Sequence, residues 1–302
     1  MLSFVFAHQQ PSRLDKFLAR ELSLSRNEVS KLLSSGAVAV NQQKVFEKAK
    51  GWLLEPGTSI TVDELMLERS MLITANPDLK LSILKEAEGF IVVDKPAGLP
   101  VMPLNAKETN TVLNAVVTNF PEIQGLGEGG LKSGIVHRLD TETSGALLIA
   151  RSEPGWQELR KAFQRRAVAK TYRAIVQGSL AGANRETMNL VIAKHKPAFV
   201  KVTIEKTNAV RQCSLTWRAL EPLEAATLIE VNLETGFLHQ IRVMMAQLGH
   251  SVLGDRLYGN DPFPTQIPRQ MLHASSLKLK GIEAYSPDPA DFSAVLAQRR
   301  NE

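Results

Sequence analysis

The chain has 302 residues, of which 44% are hydrophobic and 22% charged, a balance typical of a globular protein with one large core and room for a small appendage. Its 36 Lys and Arg against 31 Asp and Glu leave a net charge of +5, which is compatible with a polyanionic partner but too small to establish one. The only cysteine, Cys213, excludes an intrachain disulfide framework and lies in an apolar stretch, which predicts a small core residue.

The N-terminal segment MLSFVFAHQQPSR has too short an apolar run and no basic leader for a signal peptide. No stretch of the chain approaches the roughly 20 apolar residues that a membrane-spanning helix needs. The sequence therefore predicts a cytoplasmic protein with no membrane partner.

Residues 12–63 form a first predicted module. Apolar residues at helical spacing, with SRNE at 25–28 as a capping box, predict two short helices, and AVAVN, a polar turn and TSITVD predict strands after them. This order resembles the small alpha-L RNA-binding fold of a small-subunit ribosomal protein. The basic residues of the two helices are candidates for contacts with RNA. The alternative is that they form solvated helix faces, because the acidic residues of the module nearly balance their charge.

The rest of the chain divides into three predicted parts. Residues 64–81 show no sustained periodicity and are predicted as a linker, and residues 286–302 as a C-terminal tail. Between them, over 82–285, strand-like runs dominate and helical patterns occur at TVLNAVVTNF, GWQELRKAFQRRA and HQIRVMMAQLG. Because several strands follow one another without a helix, we predict an α+β fold with a mixed, largely antiparallel sheet and flanking helices.

Several kinds of site have no support in the sequence. A phosphate-binding GxxxxGK[ST] loop and a GxGxxG motif between a strand and a helix are both missing. The six histidines are scattered, with no pair at metal-ligand spacing beside a carboxylate. We therefore predict no metal and no cofactor.

One carboxylate stands out in the segment GIVHRLDTETSGALLIA at 134–150, which predicts two strands joined by a polar turn. Asp140 lies in that turn, near His137 and Arg138. A short rigid turn on a scaffold is a suitable place for a catalytic group. The alternative is that Asp140 only accepts backbone hydrogen bonds that shape the turn.

The motif HRLDTETSG resembles the signature of the RluA family of pseudouridine synthases. Three other segments resemble that family in the same order, namely DKPAGLPV at 94–101, KTYRAIVQG at 170–178 and TGFLHQIRVMMAQLGHSVLGDRLYG at 235–259, and LHASSLKL at 272–279 fits its last strand. Because these segments occur in the same order as in the family over residues 82–285, a chance resemblance is a poor explanation of them. The N-terminal module is a common appendage in this family.

The resemblance implies an enzyme that breaks the N-glycosidic bond of a uridine in RNA, turns the uracil and rejoins it through carbon, without a metal or an organic cofactor. Asp140 matches the catalytic carboxylate, which could bond to the sugar, attack the uracil ring or assist elimination. Tyr172 matches an active-site tyrosine that stacks on the base, with a core aromatic as the alternative. Arg242 matches an arginine that pairs with the catalytic Asp and fixes its orientation.

The resemblance also implies a set of supporting residues. Arg138 is expected to support flipping of the target nucleotide, and His137, grouped with it, to be mainly structural. The basic run at 160–173 is predicted to place four of its cations on one helix and to contact phosphates, with a solvated helix face as the alternative. The remaining expected substrate-binding residues are Arg165, Arg166, Lys170, His239 and Gln240. Asp94, Lys95 and Pro96 are expected to be active-site architecture, with a plain turn as the alternative.

Three positions depart from the family pattern. Phe237 stands where Arg is usual, Met244 where His is frequent, and Met102 where the first motif commonly ends in HP. These departures leave the RNA-binding surface open. The expected partner is RNA, with large-subunit ribosomal RNA preferred to transfer RNA and the chain acting as a monomer. A catalytically inactive RNA-binding assembly factor is the remaining alternative.

Overall fold

The computed structural model describes residues 1–22, 24, 26–195, 198–205, 207–259 and 267–301. The elements of the N-terminal part are β1 (Leu2–Val5), β2 (Ser12–Arg13), α1 (Leu14–Glu21), α2 (Arg26–Ser34), β3 (Val38–Val40), β4 (Gln43–Val45), β5 (Leu53–Leu54), β6 (Ser59–Val62) and α3 (Glu64–Met71). They form a four-stranded antiparallel sheet of order β1-β6-β3-β4 and a separate β2-β5 pair.

The N-terminal domain has its own core, in which α1 and α2 pack on the sheet through buried side chains that include Phe17, Leu32 and Ile60. The two predicted helices are present, and the two predicted strands are β3 and β6, which pair with each other antiparallel. Strand β4 occupies part of the segment predicted as a polar turn. The domain begins earlier than predicted, because β1 pairs with β6 and Phe6 is fully buried. Ser25, the first residue of the predicted capping box, lies outside the described residues.

The segment predicted as a linker contains helix α3. The helix begins where the Asp63 side chain accepts a hydrogen bond from the Met66 backbone N–H at 3.2 Å. Its eight residues are too few to establish a helical period in the sequence. Met66 and Leu67 pack against the core of the N-terminal domain, whereas Ile73 is buried in the core of the large domain, so the segment contacts both domains.

The large domain contains one ten-stranded sheet of order β12-β11-β13-β14-β10-β15-β9-β8-β7, with β16 paired to β15. Its elements are β7 (Ser82–Ala87), β8 (Phe90–Lys95), α4 (Val112–Asn119), β9 (Ser144–Ala150), α5 (Glu153–Gln164), β10 (Ala169–Gln177), β11 (Ala183–His195), β12 (Ala198–Val202), β13 (Arg211–Leu223), β14 (Ala226–Leu233), α6 (Gln240–Gln247), β15 (Leu272–Leu279), β16 (Ile282–Tyr285) and α7 (Ala290–Asn301).

The sheet is largely antiparallel, and among the described strands β9 and β15 form the one parallel pair. Gly145 lies at their crossing with φ +117°, where an added Cβ would lie 2.3 Å from the carbonyl oxygen of Ala274. All seven residues of β9 are buried, because α4 and α6 cover one face of the sheet and α5 covers the other. The predicted α+β class with flanking helices is therefore confirmed.

The C-terminal segment is not a loose tail. Residues 290–301 form α7, whose Phe292, Val295 and Leu296 are buried against Ile175 and other apolar residues of the sheet. The prediction that the large domain ends at 285 is wrong in this respect. Only three large apolar residues lie in α7 and the segment SPDP before it contains two prolines, which hid the helix in the sequence.

The predicted strand–turn–strand at 134–150 has only its second strand, β9. Residues before it form a loop with a single bridge between Ile135 and Ile149. A second strand is not needed there, because the ring Nε2 of His137 accepts the hydrogen bond of the Leu148 backbone N–H at 3.0 Å. None of the helices in the described ranges is long and apolar enough to cross a membrane.

Candidate active site

A cavity of about 730 Å³ lies where the loop before β9, the end of α5, β10 and the start of α6 meet. That volume suits a ligand of nucleotide size. The cavity is lined by nine of the residues singled out in the sequence: His137, Arg138, Asp140, Arg166, Lys170, Tyr172, His239, Gln240 and Arg242. The fold therefore brings together residues such as His137 and Arg242, which are 105 positions apart in the sequence.

Asp140 lies on the cavity wall with 19% of its side chain exposed. Its Oδ2 accepts a hydrogen bond from Arg242 Nη1 at 2.9 Å, which fixes the orientation of the carboxylate. Its Oδ1 has no hydrogen-bond partner among the described residues, so this oxygen is available to a ligand in the cavity.

Arg242 is held from behind by Asp255. Its Nε donates to Asp255 Oδ2 at 2.7 Å and its Nη2 to Asp255 Oδ1 at 2.9 Å, a two-point contact that leaves Nη1 for Asp140. Burial works to raise the pKa of Asp255, but the hydrogen bonds and charge of Arg242 outweigh it and hold that pKa below its ordinary value. The backbone N–H groups of Leu257 and Tyr258 also donate to Asp255 Oδ1.

His239 lies on the other side of the carboxylate, with its Nε2 4.0 Å from Asp140 Oδ2. Its backbone has a left-handed φ of +54° at the start of α6, an uncommon conformation for a residue other than glycine. The hydroxyl of Tyr258 accepts a hydrogen bond from the Val200 N–H at 2.8 Å and lies 2.9 Å from His239 Nδ1. Donation from that hydroxyl to Nδ1 leaves the proton of a neutral ring on Nε2, facing Asp140.

Tyr172 projects from β10 to the cavity and is 6% exposed. Burial, with the nearby charge of Asp140, raises the pKa of its hydroxyl well above the ordinary value. The hydroxyl therefore stays protonated at neutral pH and can donate a hydrogen bond.

Lys95 lies beneath the loop that carries Asp140 and is fully buried. Its Nζ donates to the carbonyl oxygens of Pro96 at 2.8 Å, Leu99 at 2.7 Å and Thr141 at 2.8 Å. Burial lowers the pKa of Lys95 to about 7, while three carbonyl acceptors are the environment that suits an ammonium group. The side chain joins the turn after β8 to the residue after Asp140.

We expect Lys95→Met to lower the free energy of unfolding by about 2–4 kcal/mol, because it leaves three backbone carbonyls of the buried turn without their donor. Denaturant unfolding measures this effect, with the exposed Lys80→Met as the matched control. An unfolding free energy equal to that of the wild type would contradict the assigned role.

His137 is a structural residue that also lines the cavity. Its ring stacks on Phe163 at 4.7 Å between centroids and accepts the Leu148 N–H described above. Burial, with the charge of Lys170 nearby, lowers the pKa of His137 to about 3. The ring is therefore neutral at physiological pH, as an acceptor of a backbone N–H must be.

This shift predicts a pH dependence of stability. Between about pH 6.5 and 3 the unfolded chain binds a proton at His137 that the folded chain does not, so stability falls as the pH falls, by at most about 1.4 kcal/mol per unit from this residue. Replacing His137 by Gln should flatten the curve of unfolding free energy against pH in that window. The exposed His8→Gln is the control, and equal curves for wild type and His137→Gln would contradict the prediction.

The cavity is rich in cations. Arg138, Arg166, Lys170 and Arg211 line it and have no ion pair within 4 Å among the described residues, whereas the lining carboxylates Asp140 and Glu234 are paired with arginines. The predicted placement of four cations on one helix is wrong, because α5 ends at Gln164 and the turn that follows it carries Arg165 and Arg166. Arg166 lies in that turn with a left-handed φ of +56°.

Three of the expected site residues have surroundings that the sequence did not indicate. Gln240 lines the cavity but is buried, and its side chain bonds Thr235 Oγ1, the Phe237 N–H and the Ser214 carbonyl, so it braces the loop before α6. Arg165 is exposed outside the cavity lining. Asp94 accepts a hydrogen bond from Ser286 Oγ at 2.7 Å, also away from the lining.

Asp255, Tyr258 and Arg211 are the site residues that the sequence did not single out. The first two lie in GDRLYG, inside a segment that resembles the family, but nothing in their spacing connects them with Arg242. Arg211 stands at the start of a strand with no motif around it. Across the described part of the chain, no three His, Cys, Asp or Glu side chains are grouped as metal ligands.

Comparison with known proteins agrees with this geometry. The family described as RNA pseudouridylate synthase matches residues 89–247, which contain Asp140, Tyr172 and Arg242. The chain belongs to the RNA pseudouridine synthase family. An S4 domain matches residues 12–49, in agreement with the alpha-L fold expected for the N-terminal module.

Full-length relatives support this membership of the pseudouridine synthases. An uncharacterized RNA pseudouridine synthase of Synechocystis is 36% identical over 299 residues, covering 95% of this chain and 89% of the relative. A ribosomal large subunit pseudouridine synthase D of Zymomonas mobilis is 34% identical, covering 95% and 90%. The RluA-type resemblance of the motifs is therefore confirmed.

Solved structures show the same pseudouridine synthase fold. Human RNA Pseudouridylate Synthase Domain Containing 4 aligns with a TM-score of 0.59 at 20% identity and covers 72% of this chain and 92% of its own.

Of the three departures from the family pattern, only Phe237 lines the cavity. Met244 is buried in the core and Met102 packs against it, so neither faces a substrate.

Proposed function

We propose that this pseudouridine synthase isomerises uridine in large-subunit ribosomal RNA and that Asp140 is its catalytic carboxylate. The observation that carries the assignment is the oriented Asp140–Arg242 pair: Asp140 lines a nucleotide-sized cavity, and its Oδ1 has no hydrogen-bond partner among the described residues. The choice of RNA is supported by two relatives of Zymomonas mobilis and Nitrosomonas europaea, both named ribosomal large subunit pseudouridine synthase D. A ribosomal RNA substrate is consistent with the cytoplasmic location that the sequence predicts.

Asp140, Tyr172 and Arg242 have different roles in the proposed reaction. The reaction breaks the bond from the sugar to N1 of uracil and forms one to C5, while the proton of C5 is lost and N1 gains one. As the first bond breaks, the sugar gains positive character or must lose a proton, and Oδ1 of Asp140 can serve either need. The protonated Tyr172 hydroxyl can donate to the detached uracil, and Arg242 keeps the carboxylate in place.

The cationic lining supports a role in holding the target nucleotide. The cavity is recessed, so a uridine of a paired region must leave its stack to reach Asp140, and exposed Arg138 beside it can occupy the space left behind. Arg166, Lys170 and Arg211 are placed to contact phosphates. The S4 domain adds a second contact with structured RNA. One chain supplies the whole cavity, and we propose that it acts as a monomer.

Lys170 offers a direct test of the phosphate contact. Burial and the neighbouring charge of Arg166 lower its pKa to about 8, and a phosphate beside it would offset both effects. We expect Lys170→Gln to weaken RNA binding severalfold and to reduce the slope of log affinity against log salt by about 1. The control is Lys280→Gln, an exposed lysine outside the cavity lining, and an unchanged slope for Lys170→Gln would contradict the contact.

The proposed activity is tested with transcripts labelled with tritium at C5 of uridine, because isomerisation releases that label and binding does not. Release from a large-subunit ribosomal RNA transcript, and not from transfer RNA transcripts, is the expected result. Release from transfer RNA alone would overturn the proposed substrate. Binding of RNA without any release would favour the inactive assembly factor.

A further inference from the structure

The residues that follow Asp140 are fixed by side chains from a distant part of the chain. Arg269 donates from Nη1 to the carbonyl oxygen of Glu142 at 3.1 Å and from Nη2 to Ser144 Oγ at 3.2 Å. Beside it, Gln270 Nε2 donates to Thr143 Oγ1 at 2.8 Å. The backbone of the catalytic loop therefore depends on where the Arg269 guanidinium lies.

Arg269 is in turn held by the first turn of α7. Its Nε donates to Asp291 Oδ2 at 2.6 Å and its Nη2 to Asp291 Oδ1 at 2.9 Å, a two-point contact. Nη1 also donates to the carbonyl oxygens of Gln270 and Leu272, but Asp291 is the only carboxylate that the guanidinium contacts among the described residues. The Arg269 side chain is only 3% exposed. The contact has the same form as that of Asp255 with Arg242 on the other side of Asp140.

Asp291 is itself fixed by the helix that carries it. Its Oδ1 accepts a hydrogen bond from the Phe292 N–H at 2.8 Å, and the Phe292 side chain is fully buried. The position of α7 in the core thus determines the position of the carboxylate, which determines that of Arg269. The hydrogen bonds from Arg269 to Glu142 and Ser144 then fix the position of the loop after Asp140.

We propose that Asp291 is a positioning residue of the active site, acting through Arg269 on residues 142–144 of the catalytic loop. The proposal rests on the proposed function, because it takes Asp140 as the catalytic group. Because Asp291 does not line the cavity, it affects the rate of the chemical step and not the affinity for RNA. The C-terminal helix thereby becomes part of the catalytic apparatus.

The competing interpretation is that the Arg269–Asp291 pair only attaches α7 to the domain. The chain offers a matched control at the other end of the same helix, where Arg300 donates from Nε and Nη2 to the two oxygens of Glu221, each at 2.6 Å. That pair attaches α7 to β13 and has no contact with the catalytic loop. A role in attachment alone predicts that each variant lowers the melting temperature according to the burial of its pair and leaves kcat unchanged.

The experiment compares Asp291→Asn with Glu221→Gln in the full chain, measuring kcat and KM for tritium release together with the melting temperature. We expect Asp291→Asn to lower kcat by about tenfold or more, since small displacements of a catalytic group have effects of this size, and to leave KM within about twofold. Glu221→Gln should leave both within about twofold. A wild-type kcat in Asp291→Asn, or an equal fall in Glu221→Gln, would overturn the proposal.

A second variant covers the case in which Asp291→Asn does not fold. Arg269→Lys keeps the charge but cannot reach Asp291, Glu142 and Ser144 together, so it should show the same fall in kcat with KM unchanged. Where both variants fold, the double variant should fall no further than either single variant, because the two residues act in one path. An additive loss, or a wild-type kcat in Arg269→Lys, would overturn the proposal. Absence of tritium release by the wild type would instead refute the proposed function.

Discussion

Replacing Asp140 by Asn is expected to abolish tritium release from uridine-labelled RNA, with a loss of at least about 10⁴-fold, while RNA affinity stays within about tenfold of the wild type. The substitution keeps the size of the side chain and a carbonyl oxygen for Arg242, but it removes the negative charge that the breaking glycosidic bond requires. The cations around the cavity remain, so binding and catalysis should separate. Tritium release and a filter-binding titration measure the two quantities.

The matched control for Asp140→Asn is Glu158→Gln on α5. It removes the same charge from an exposed side chain outside the cavity lining, so turnover should be unchanged within about twofold. Persistent turnover in Asp140→Asn would refute the assigned role of Asp140. An equal loss in both variants would show that the effect does not depend on the position of the charge.

Replacing Asp255 by Asn is expected to have the second-largest effect, on both stability and rate. The Asp255 side chain is fully buried and makes two of the three ion-pair hydrogen bonds of Arg242. Its loss leaves a buried guanidinium without its main counter-charge, which typically costs about 3–5 kcal/mol of unfolding free energy. Arg242 would also lose the contact that aims it at Asp140, so we expect kcat to fall by about a hundredfold.

Denaturant unfolding and tritium release measure the Asp255→Asn effects. The control is Glu230→Gln, which breaks the exposed Arg218–Glu230 pair and should change the unfolding free energy by less than about 1 kcal/mol. Wild-type turnover in Asp255→Asn would show that Arg242 needs no support from behind. A stability loss without a loss of rate would limit Asp255 to a structural role.

The motifs predicted which residues meet at the site but not how each is held. Asp140 and Arg242 are 102 positions apart, and only the resemblance to a family connected them before their 2.9 Å contact was seen. Asp255 was not singled out, because its role depends on buried hydrogen bonds that leave no periodic pattern in the sequence. Lys95 was expected as active-site architecture, but its three carbonyl partners were not predictable for the same reason. The motif placed Gln240 at the site, where it lines the cavity, but it did not indicate that the side chain is bonded to Thr235 and Ser214.

The fold class was predictable because several strand-like runs follow one another without helices. The first strand of the predicted hairpin was not, because a side chain, His137, replaces a backbone partner there. Helix α3 was missed because it has only eight residues, and α7 because the proline-containing segment SPDP precedes it. Both helices pack apolar side chains against another element, so tertiary contacts stabilise them more than their own sequence pattern does.

Pseudouridines should be mapped in total RNA from cells that lack this gene and from the same cells carrying either the wild-type chain or Asp140→Asn. We expect that one or more pseudouridines of large-subunit ribosomal RNA disappear without the gene, return with the wild-type chain and do not return with Asp140→Asn. An identical map in all three strains, or restoration by Asp140→Asn, would contradict this expectation.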